Sequence, residues 1–391
     1  MTEPSHFRLQ FIVFLLVSIS FTNIYITQPV LPVLQVEFAV DTVIASFTVS
    51  AVLLGIALSN LPSGALADRL PIHPIILTGG IVLAIGGLIC ALASNIWVLI
   101  GARFLQGLFI PAMTTCLVAY LAKTLPLARL NVVMGTYVAA TVLGGMGSRL
   151  LGGWIHPPLN WRYAFVSASI LVLIATLIAM RELPRTPVHP QRQHDSMGFF
   201  ELLKRWELLL LFLCAAASQS IFSPVFNYLP YRLGAPPFEF PTELVTLVYL
   251  VYIVGIFMGP AAGRISNRFG NGYTIIGGAV VLGISLVLIL LPTIVAVVLG
   301  LIGICAGFFT IHAAAVGSLN RKLSSGHGRA NALYVLFYYV GAWLGITWAG
   351  FAYKQGGWSA LVYTALLLLT IPLYAGIHEL KIARRQQLSE K

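Results

Sequence analysis

Residues 64–71 read GALADRLP, and about 200 residues later residues 263–270 read GRISNRFG. Each segment begins with glycine, has arginine in its sixth position and follows a long apolar run. Two further pairs come in the same order and at nearly the same offset: QGLFIPA (106–112) with AGFFTIH (306–312), and ARLN (128–131) with GRAN (328–331). Each match is weak alone, but their common order indicates an internal repeat of two similar halves.

The composition places the chain in a membrane. Of its 391 residues, 58% are hydrophobic and 9% are charged, whereas a soluble domain carries about 25% charged residues. Runs of about 20 apolar residues recur along the sequence, and each is long enough to cross roughly 30 Å of hydrocarbon. The first run is too long for the core of a signal peptide, so we expect it to remain as the first span.

We predict an all-α membrane protein with twelve transmembrane helices in two pseudo-symmetric six-helix bundles. The polar, proline-rich and charged segment 182–206 separates an N-terminal bundle (1–181) from a C-terminal bundle (207–391). The predicted spans are 9–32, 43–66, 75–94, 98–120, 132–154, 161–181, 207–229, 243–265, 272–292, 294–317, 330–352 and 357–378.

The basic residues support this topology. Of the 23 Lys and Arg residues, Arg162, Arg232 and Lys354 fall on the outer side, Arg103 and Arg149 lie within spans, and the other 18 fall on the inner side. This bias follows the positive-inside rule. It predicts a multi-pass protein of the cell inner membrane with both termini in the cytoplasm, and it explains the net charge of +11 without nucleic acid.

Several function classes lack their sequence signals. The four cysteines lie far apart in apolar runs and have no metal-type spacing. Neither a nucleotide-binding loop nor a nucleophile constellation is present, and GGAVVLG in the ninth span is not part of a strand–helix unit. We therefore expect no enzyme activity, no cofactor and no metal. We expect a monomer whose partners are a small-molecule substrate, protons and the lipid bilayer.

Three segments carry a resemblance to a known family. GALADRL resembles the loop signature between spans two and three of the major facilitator superfamily, through Gly64, Leu66, Asp68 and Arg69. The later glycine and basic residues of that signature are replaced by Pro71, His73 and Pro74. LIGARFLQGLF resembles the span-four signature, with Arg103, Gln106 and Gly107 in place. The similarity covers essentially the whole chain.

The third segment, GGMGSRLLGG (144–153), resembles the span-five signature of the proton-coupled drug antiporter branch. That signature normally has proline where Arg149 stands. The arginine variant is similar to the acriflavine-sensitivity-type bacterial exporters. Gly144, Gly145, Gly152 and Gly153 are expected to let another helix come close, as small residues do between membrane helices.

The resemblance also implies a gate at residues 64–69. In the family, the acid equivalent to Asp68 closes a cytoplasmic gate with Gly64 and Arg69 beside it, and it faces the N-terminus of span eleven. A carboxylate is stabilised there by roughly 0.3–1 kcal/mol or more. Asp68→Asn is expected to abolish turnover while folding and substrate affinity stay largely intact. The alternative is an ordinary loop acid beside Arg69.

In the family, spans one, four, seven and ten line the cavity, and most strong polar residues of this chain fall there. The candidate substrate or cavity residues are Asn23, Gln28, Arg103, Gln106, Arg149, Gln219, Asn227 and Tyr228. Tyr25 and His312 also fall on these spans, and packing is the expected role of His312.

Arg103 and Arg149 are predicted at similar depth, about 8–9 Å below the outer edge at 1.5 Å per residue. Charged residues within spans usually face the bundle interior and are functional. They could instead snorkel to the interface, or be neutralised by Glu37 or Asp41. The sequence places every acid in loops, tails or span ends, so a weak acid, an anion or a zwitterion is the easier substrate.

These observations predict a secondary active transporter that exports small molecules, drug-like compounds or metabolites, by proton antiport with alternating access. The alternative is a proton-coupled permease for organic anions or weak acids. A transport-inactive sensor of the same fold is a further possibility, which would predict a large soluble extension.

Overall fold

The computed structural model describes residues 6–183, 198–323 and 325–389, and these residues form helices joined by short connections. In chain order the α-helices are α1 (His6–Thr22), α2 (Leu31–Glu37), α3 (Thr42–Arg69), α4 (Ile72–Leu92), α5 (Ile96–Met113), α6 (Thr115–Thr124), α7 (Leu127–Ile155), α8 (Arg162–Glu182), α9 (Phe199–Lys204), α10 (Trp206–Gly234), α11 (Thr242–Val248), α12 (Val254–Phe269), α13 (Asn271–Leu288), α14 (Ile294–Arg321), α15 (His327–Leu368) and α16 (Thr370–Ser389). Short 3-10 helices form at Gln28–Val30 and Tyr249–Ile253.

The predicted twelve-span, all-α fold is confirmed. Within the described ranges, nine helical stretches are long and apolar enough to cross a membrane. The last of them, His327–Arg385, holds two spans, because Gly356 and Gly357 leave the helical conformation inside α15. The shorter apolar helix α1 and the 29-residue helix α7 supply the remaining two.

The helices group into two compact units. Unit 1 consists of Met1–Arg192 with Phe240–Leu250, and unit 2 consists of Gln193–Glu239 with Val251–Lys391. The start of the eighth span therefore groups with the N-terminal helices. The domain boundaries at 181 and 206 stay a prediction, and residues 184–197 of the predicted linker lie outside the described residues.

Four predicted spans are not single α-helices. The first is interrupted after Thr22, the fourth at Thr114, the eighth at the 3-10 helix Tyr249–Ile253, and the twelfth at Leu369 between α15 and α16. Proline explains the first break, because Pro29 and Pro32 have no N–H to donate and crowd the carbonyl four residues earlier. Such breaks are tolerated at membrane depth only where other groups satisfy the freed backbone.

Candidate functional site

The first break creates a non-helical stretch inside unit 1, residues 23–27, which we call the unwound segment. In a regular helix the Asn23 and Ile24 carbonyls would accept from amides four residues later. Instead, the Gln28 amide donates to the Tyr25 carbonyl at 3.0 Å. The segment therefore presents backbone oxygens at the C-terminal end of α1, where a helix attracts positive charge.

Arg103 of α5 supplies the positive charge at this end of α1. Its guanidinium donates to the Asn23 carbonyl at 2.6 Å and to the Ile24 carbonyl at 2.5 Å. Its Nε donates to the carbonyl of Thr48 in α3 at 2.9 Å. The side chain is fully buried, so it does not snorkel to the interface. Arg103 thus ties α1, α3 and α5 together through two carbonyl oxygens of the unwound segment and one of α3.

Gln106, one turn along α5, orients the arginine. Its Oε1 accepts from Arg103 at 2.7 Å, and its Nε2 donates to the Leu83 carbonyl of α4 at 3.1 Å. Because both ends of the amide are engaged within the protein, we interpret Gln106 as a positioning residue.

Arg149 of α7 approaches the other end of the unwound segment. Its Nε donates to Gln28 Oε1 at 2.7 Å, and it donates to the Gly145 carbonyl at 2.6 Å. Its guanidinium carbon lies 4.0 Å from the centre of the Tyr25 ring and 5.5 Å from that of Tyr249. Cation–π contacts of this kind strengthen when they are desolvated, and Arg149 is only 2% exposed.

A hydrogen-bond acceptor remains open beside these groups. Asn23 is buried and its Nδ2 donates to the Ile19 carbonyl at 2.9 Å, but its Oδ1 has no partner among the described residues. Ser148 Oγ accepts from the Tyr25 amide at 2.9 Å and so fixes the backbone next to it. A buried oxygen without a donor costs free energy, and it can accept a bond from a bound molecule.

The two acids between α2 and α3, Glu37 and Asp41, bond groups other than the buried arginines. Glu37 pairs with Arg162 at 2.5 Å and accepts from Trp161 Nε1 at 2.6 Å. Asp41 accepts from the Ile44 amide at 2.9 Å and caps α3. The Glu37 carboxylate therefore compensates a loop arginine, Arg162, at the start of α8.

Glycines bring α7 close to its neighbours. A Cβ on Gly144 would lie within 3.0 Å of the Ser18 backbone in α1, and one on Gly152 would lie equally close to the Ile26 carbonyl. A Cβ on Gly153 would meet the Thr246 side chain of α11. A Cβ on Gly145 would meet only the Arg149 guanidinium, at 3.6 Å, and the Gly145 carbonyl accepts a bond from that group. The span-five glycines thus seat α7 on the first span and place Arg149 over the unwound segment.

Unit 2 holds the other three predicted cavity residues on α10. Gln219, Asn227 and Tyr228 are all buried. Gln219 Oε1 has no partner among the described residues, whereas the Tyr228 hydroxyl donates to the Ile346 carbonyl of α15 at 3.1 Å.

An aromatic cluster dominates the middle of unit 2. Phe222 stacks on Phe308 with ring centres 4.0 Å apart, and His312 lies one turn further along α14. The Nδ1 of His312 lies 3.0 Å from the Tyr334 hydroxyl, and its ring contacts Tyr338. This geometry fits the packing role that the sequence suggested for His312.

The predicted gate residues lie in the last turns of α3. A Cβ on Gly64 would meet nothing within 4 Å, and Arg69 is exposed. Asp68 lies in the helix, but its side chain is outside what the structure describes. The gate therefore stays a prediction.

The sequence reasoning missed Thr48, Ser148 and Tyr249, which complete the site around the unwound segment. Pro29 and Pro32 were the available signal, since proline in a helix interior kinks or breaks the helix. It also missed Glu379, which is buried in α16 just beyond the predicted end of the last span.

Comparison with known proteins identifies the family. The model of the Major Facilitator Superfamily matches residues 13–320 and 208–377. The chain belongs to the major facilitator superfamily. It is 26% identical to the inner membrane transport protein YnfM of Escherichia coli over 91% of this chain and 87% of that protein. It is 27% identical to the uncharacterized transporter YybF of Bacillus subtilis over 91% of this chain and 89% of that protein.

A solved major facilitator structure supports the fold. A bacterial homolog of the human lysosomal transporter Spinster covers 97% of this chain and 99% of its own, with a TM-score of 0.78 and 17% sequence identity. Together with the family match, this makes the chain a multi-pass membrane transporter of the major facilitator type. The resemblance to this family that the sequence signatures indicated is confirmed.

Proposed function

We propose that this protein is a secondary active transporter of the inner membrane that exports small molecules, drug-like compounds or metabolites, in exchange for protons by alternating access. The observation that carries the proposal is the packing of the span-five glycines. Gly144 and Gly152 seat α7 against the first span, so that the segment resembling the antiporter signature lies directly on the unwound segment.

The substrate contacts that we propose centre on the unwound segment. In transporters, binding sites are typically built where membrane helices are discontinuous. Asn23 Oδ1 offers a buried acceptor, and Arg149 offers a cation held between two tyrosine rings. Arg103 is assigned a structural role, because the Asn23, Ile24 and Thr48 carbonyls and Gln106 take four of its five N–H donors.

A proton-coupled permease for organic anions or weak acids is the second candidate. The buried positive charge of Arg149 favours it, since a cation in a site of low dielectric attracts a carboxylate. Both candidates assign the same residues to the substrate. They differ in the direction in which proton flow drives the substrate.

Purified protein in proteoliposomes distinguishes the two. A lipophilic cation, a weak aromatic acid and a neutral sugar are each supplied outside under a pH gradient of either sign. Antiport predicts uptake into vesicles that are acidic inside, because outward proton flow then drives substrate inward. Symport predicts uptake when the outside is acidic. Accumulation that persists unchanged after an ionophore collapses the gradient would contradict both forms of proton coupling.

A further inference from the structure

Unit 2 contains a cavity whose lining includes none of the predicted substrate residues. A cavity of about 750 Å³ opens where α10 and α13 begin and where α12, α14 and α16 approach their C-terminal ends. Its charged lining residues are five cations and two acids: Arg205, Arg268, Arg321, Lys322, Arg384, Glu207 and Glu379. The lining therefore carries an excess of three positive charges.

The two acids are both used by one lysine. Lys322 Nζ lies 3.2 Å from Glu379 Oε1 and 3.4 Å from Glu207 Oε2. The second oxygen of Glu379 accepts from the Ser318 hydroxyl. Lys322 and the two acids together carry one negative charge, and the four arginines of the lining outweigh it.

Three arginines at the opening lack a carboxylate partner in the described part of the chain. Arg321 donates to Asn271 Oδ1, and Arg384 contacts the Tyr273 hydroxyl at 3.3 Å. Arg268 lies over the Phe269 ring, 5.1 Å from its centre. All three side chains are exposed. Their bonds go to neutral groups, so their charge remains available to an anion.

The wall of the pocket offers neutral donors as well. The 18-residue helix α13 begins here, and the first amides of a helix have no acceptor within it. Ser266 is 7% exposed, lines the same cavity, and its hydroxyl has no partner among the residues that the structure describes. A buried hydroxyl, helix N-terminal amides and arginines together form the donor set that phosphate groups bind.

From these contacts we propose that the pocket between the ends of α12, α13 and α16 binds a phosphate-bearing anion. Two sources of this chemistry are a lipid head group and a soluble phosphate. Exposed Trp206, Phe269 and Tyr273 lie at this end of unit 2, and aromatic residues mark the head-group level of a membrane. Basic pockets between membrane helices bind anionic head groups at that level.

The test measures binding to the full-length purified protein in neutral detergent. Two probes are titrated separately, a short-chain phosphatidylglycerol and inorganic phosphate, and thermal stabilisation is recorded. The pocket variant is Arg268→Gln with Arg384→Gln. Its matched control is Arg264→Gln with Arg385→Gln, which removes the same charge from the same two helices outside the pocket lining.

The expected result is saturable stabilisation of the wild type and of the control, with at least about tenfold weaker binding in the pocket variant. Ser266→Ala is expected to weaken binding without lowering the stability of the unliganded protein, because its hydroxyl has no described partner to lose. A response to phosphatidylglycerol alone assigns the site to a lipid, and a response to inorganic phosphate assigns it to a soluble anion. Equal losses in the pocket and control variants, or no saturable binding of either probe, would overturn the proposal.

Discussion

The first and seventh spans occupy equivalent positions in the repeat, but their helices respond differently to the prolines that they contain. The first span carries Pro29 and Pro32 and unwinds, whereas α10 runs unbroken from Trp206 to Gly234 although it contains Pro224 and Pro230. At the unwound segment Arg103 supplies the missing donors. The position equivalent to Arg103 in unit 2 is Gly303, which packs against the Ser285 side chain of α13.

The backbone packing, by contrast, is shared. Gly144 of α7 meets the backbone of α1 at Ser18, and Gly341 of α15 meets the backbone of α10 at Ala216. The repeat therefore preserves how the helices approach one another, while the polar groups between them have diverged. Unit 1 buries two arginines, and unit 2 buries stacked aromatic rings.

The largest expected effect is at Arg103. Arg103→Leu leaves the buried Asn23 and Ile24 carbonyls of the unwound segment without their donor and removes a further bond to the Thr48 carbonyl of α3. Each buried unsatisfied group costs about 1–3 kcal/mol, so we expect a loss of about 3 kcal/mol or more in the free energy of unfolding. Denaturation of the purified protein in detergent measures it.

Arg103→Lys is the control, because it keeps the charge but not the planar set of donors, and it should fall between wild type and Arg103→Leu. If Arg103→Leu left stability unchanged and abolished only ligand binding, Arg103 would be a substrate ligand and the contrast between the two spans would be wrong.

The shared glycine packing predicts matched effects in the two units. Gly152→Ala and Gly345→Ala each place a Cβ within 3.0 Å of a neighbouring backbone, so each should cost about 1–3 kcal/mol through overpacking. Gly147→Ala is the control, since its Cβ would meet only Thr22 Oγ1 at 3.7 Å. It should be neutral or stabilising by up to about 1 kcal/mol. Equal thermal stability of all three variants would show that close packing is not what these glycines provide.

A smaller difference, in the loss of stability on substitution, is expected between the two tryptophans that begin the last span of each half. Trp161 Nε1 donates to the Glu37 carboxylate at 2.6 Å, and Trp358 Nε1 donates to the Ile289 carbonyl at 2.9 Å. Bonds to charged groups are worth about 1.5–3 kcal/mol and neutral ones about 0.5–1.5 kcal/mol. Trp161→Phe should therefore destabilise by about 1 kcal/mol more than Trp358→Phe in the same unfolding assay. The reverse order would contradict this assignment.

Much of the fold was predictable, because it depends on two local features of the sequence. These are the length of each apolar run and the preference of basic residues for the cytoplasmic side of a membrane. The twelve spans follow from them. The sequence also placed Arg103 and Arg149 in spans of the same half, and the structure brings both to the unwound segment.

The partners of those arginines were not predictable. Arg103 bonds oxygens of residues about 80 positions away, as in its contact with Asn23, and a backbone carbonyl has no sequence signature. Glu37 was a candidate to neutralise a buried arginine, but it pairs with Arg162.

The burial of Glu379 was not predictable either. The apolar run ends at its position, which places it among the acids of tails and span ends. In the structure α16 continues to Ser389, and the Ser318 hydroxyl donates to the Glu379 carboxylate.

The central claim is that the unwound segment, with Asn23 and Arg149, contacts the substrate. The most direct measurement is ligand-induced thermal stabilisation of wild type, Arg149→Met, Asn23→Ala and a control, Arg264→Met, each compared with its own unliganded baseline. A weak acid, a lipophilic cation and a neutral sugar are screened, and a ligand at 100 times its Kd stabilises by about 2.7 kcal/mol. The account predicts that a ligand which stabilises wild type and the control loses most of its effect in both unit 1 variants. Full stabilisation of Arg149→Met and Asn23→Ala by that ligand would contradict it.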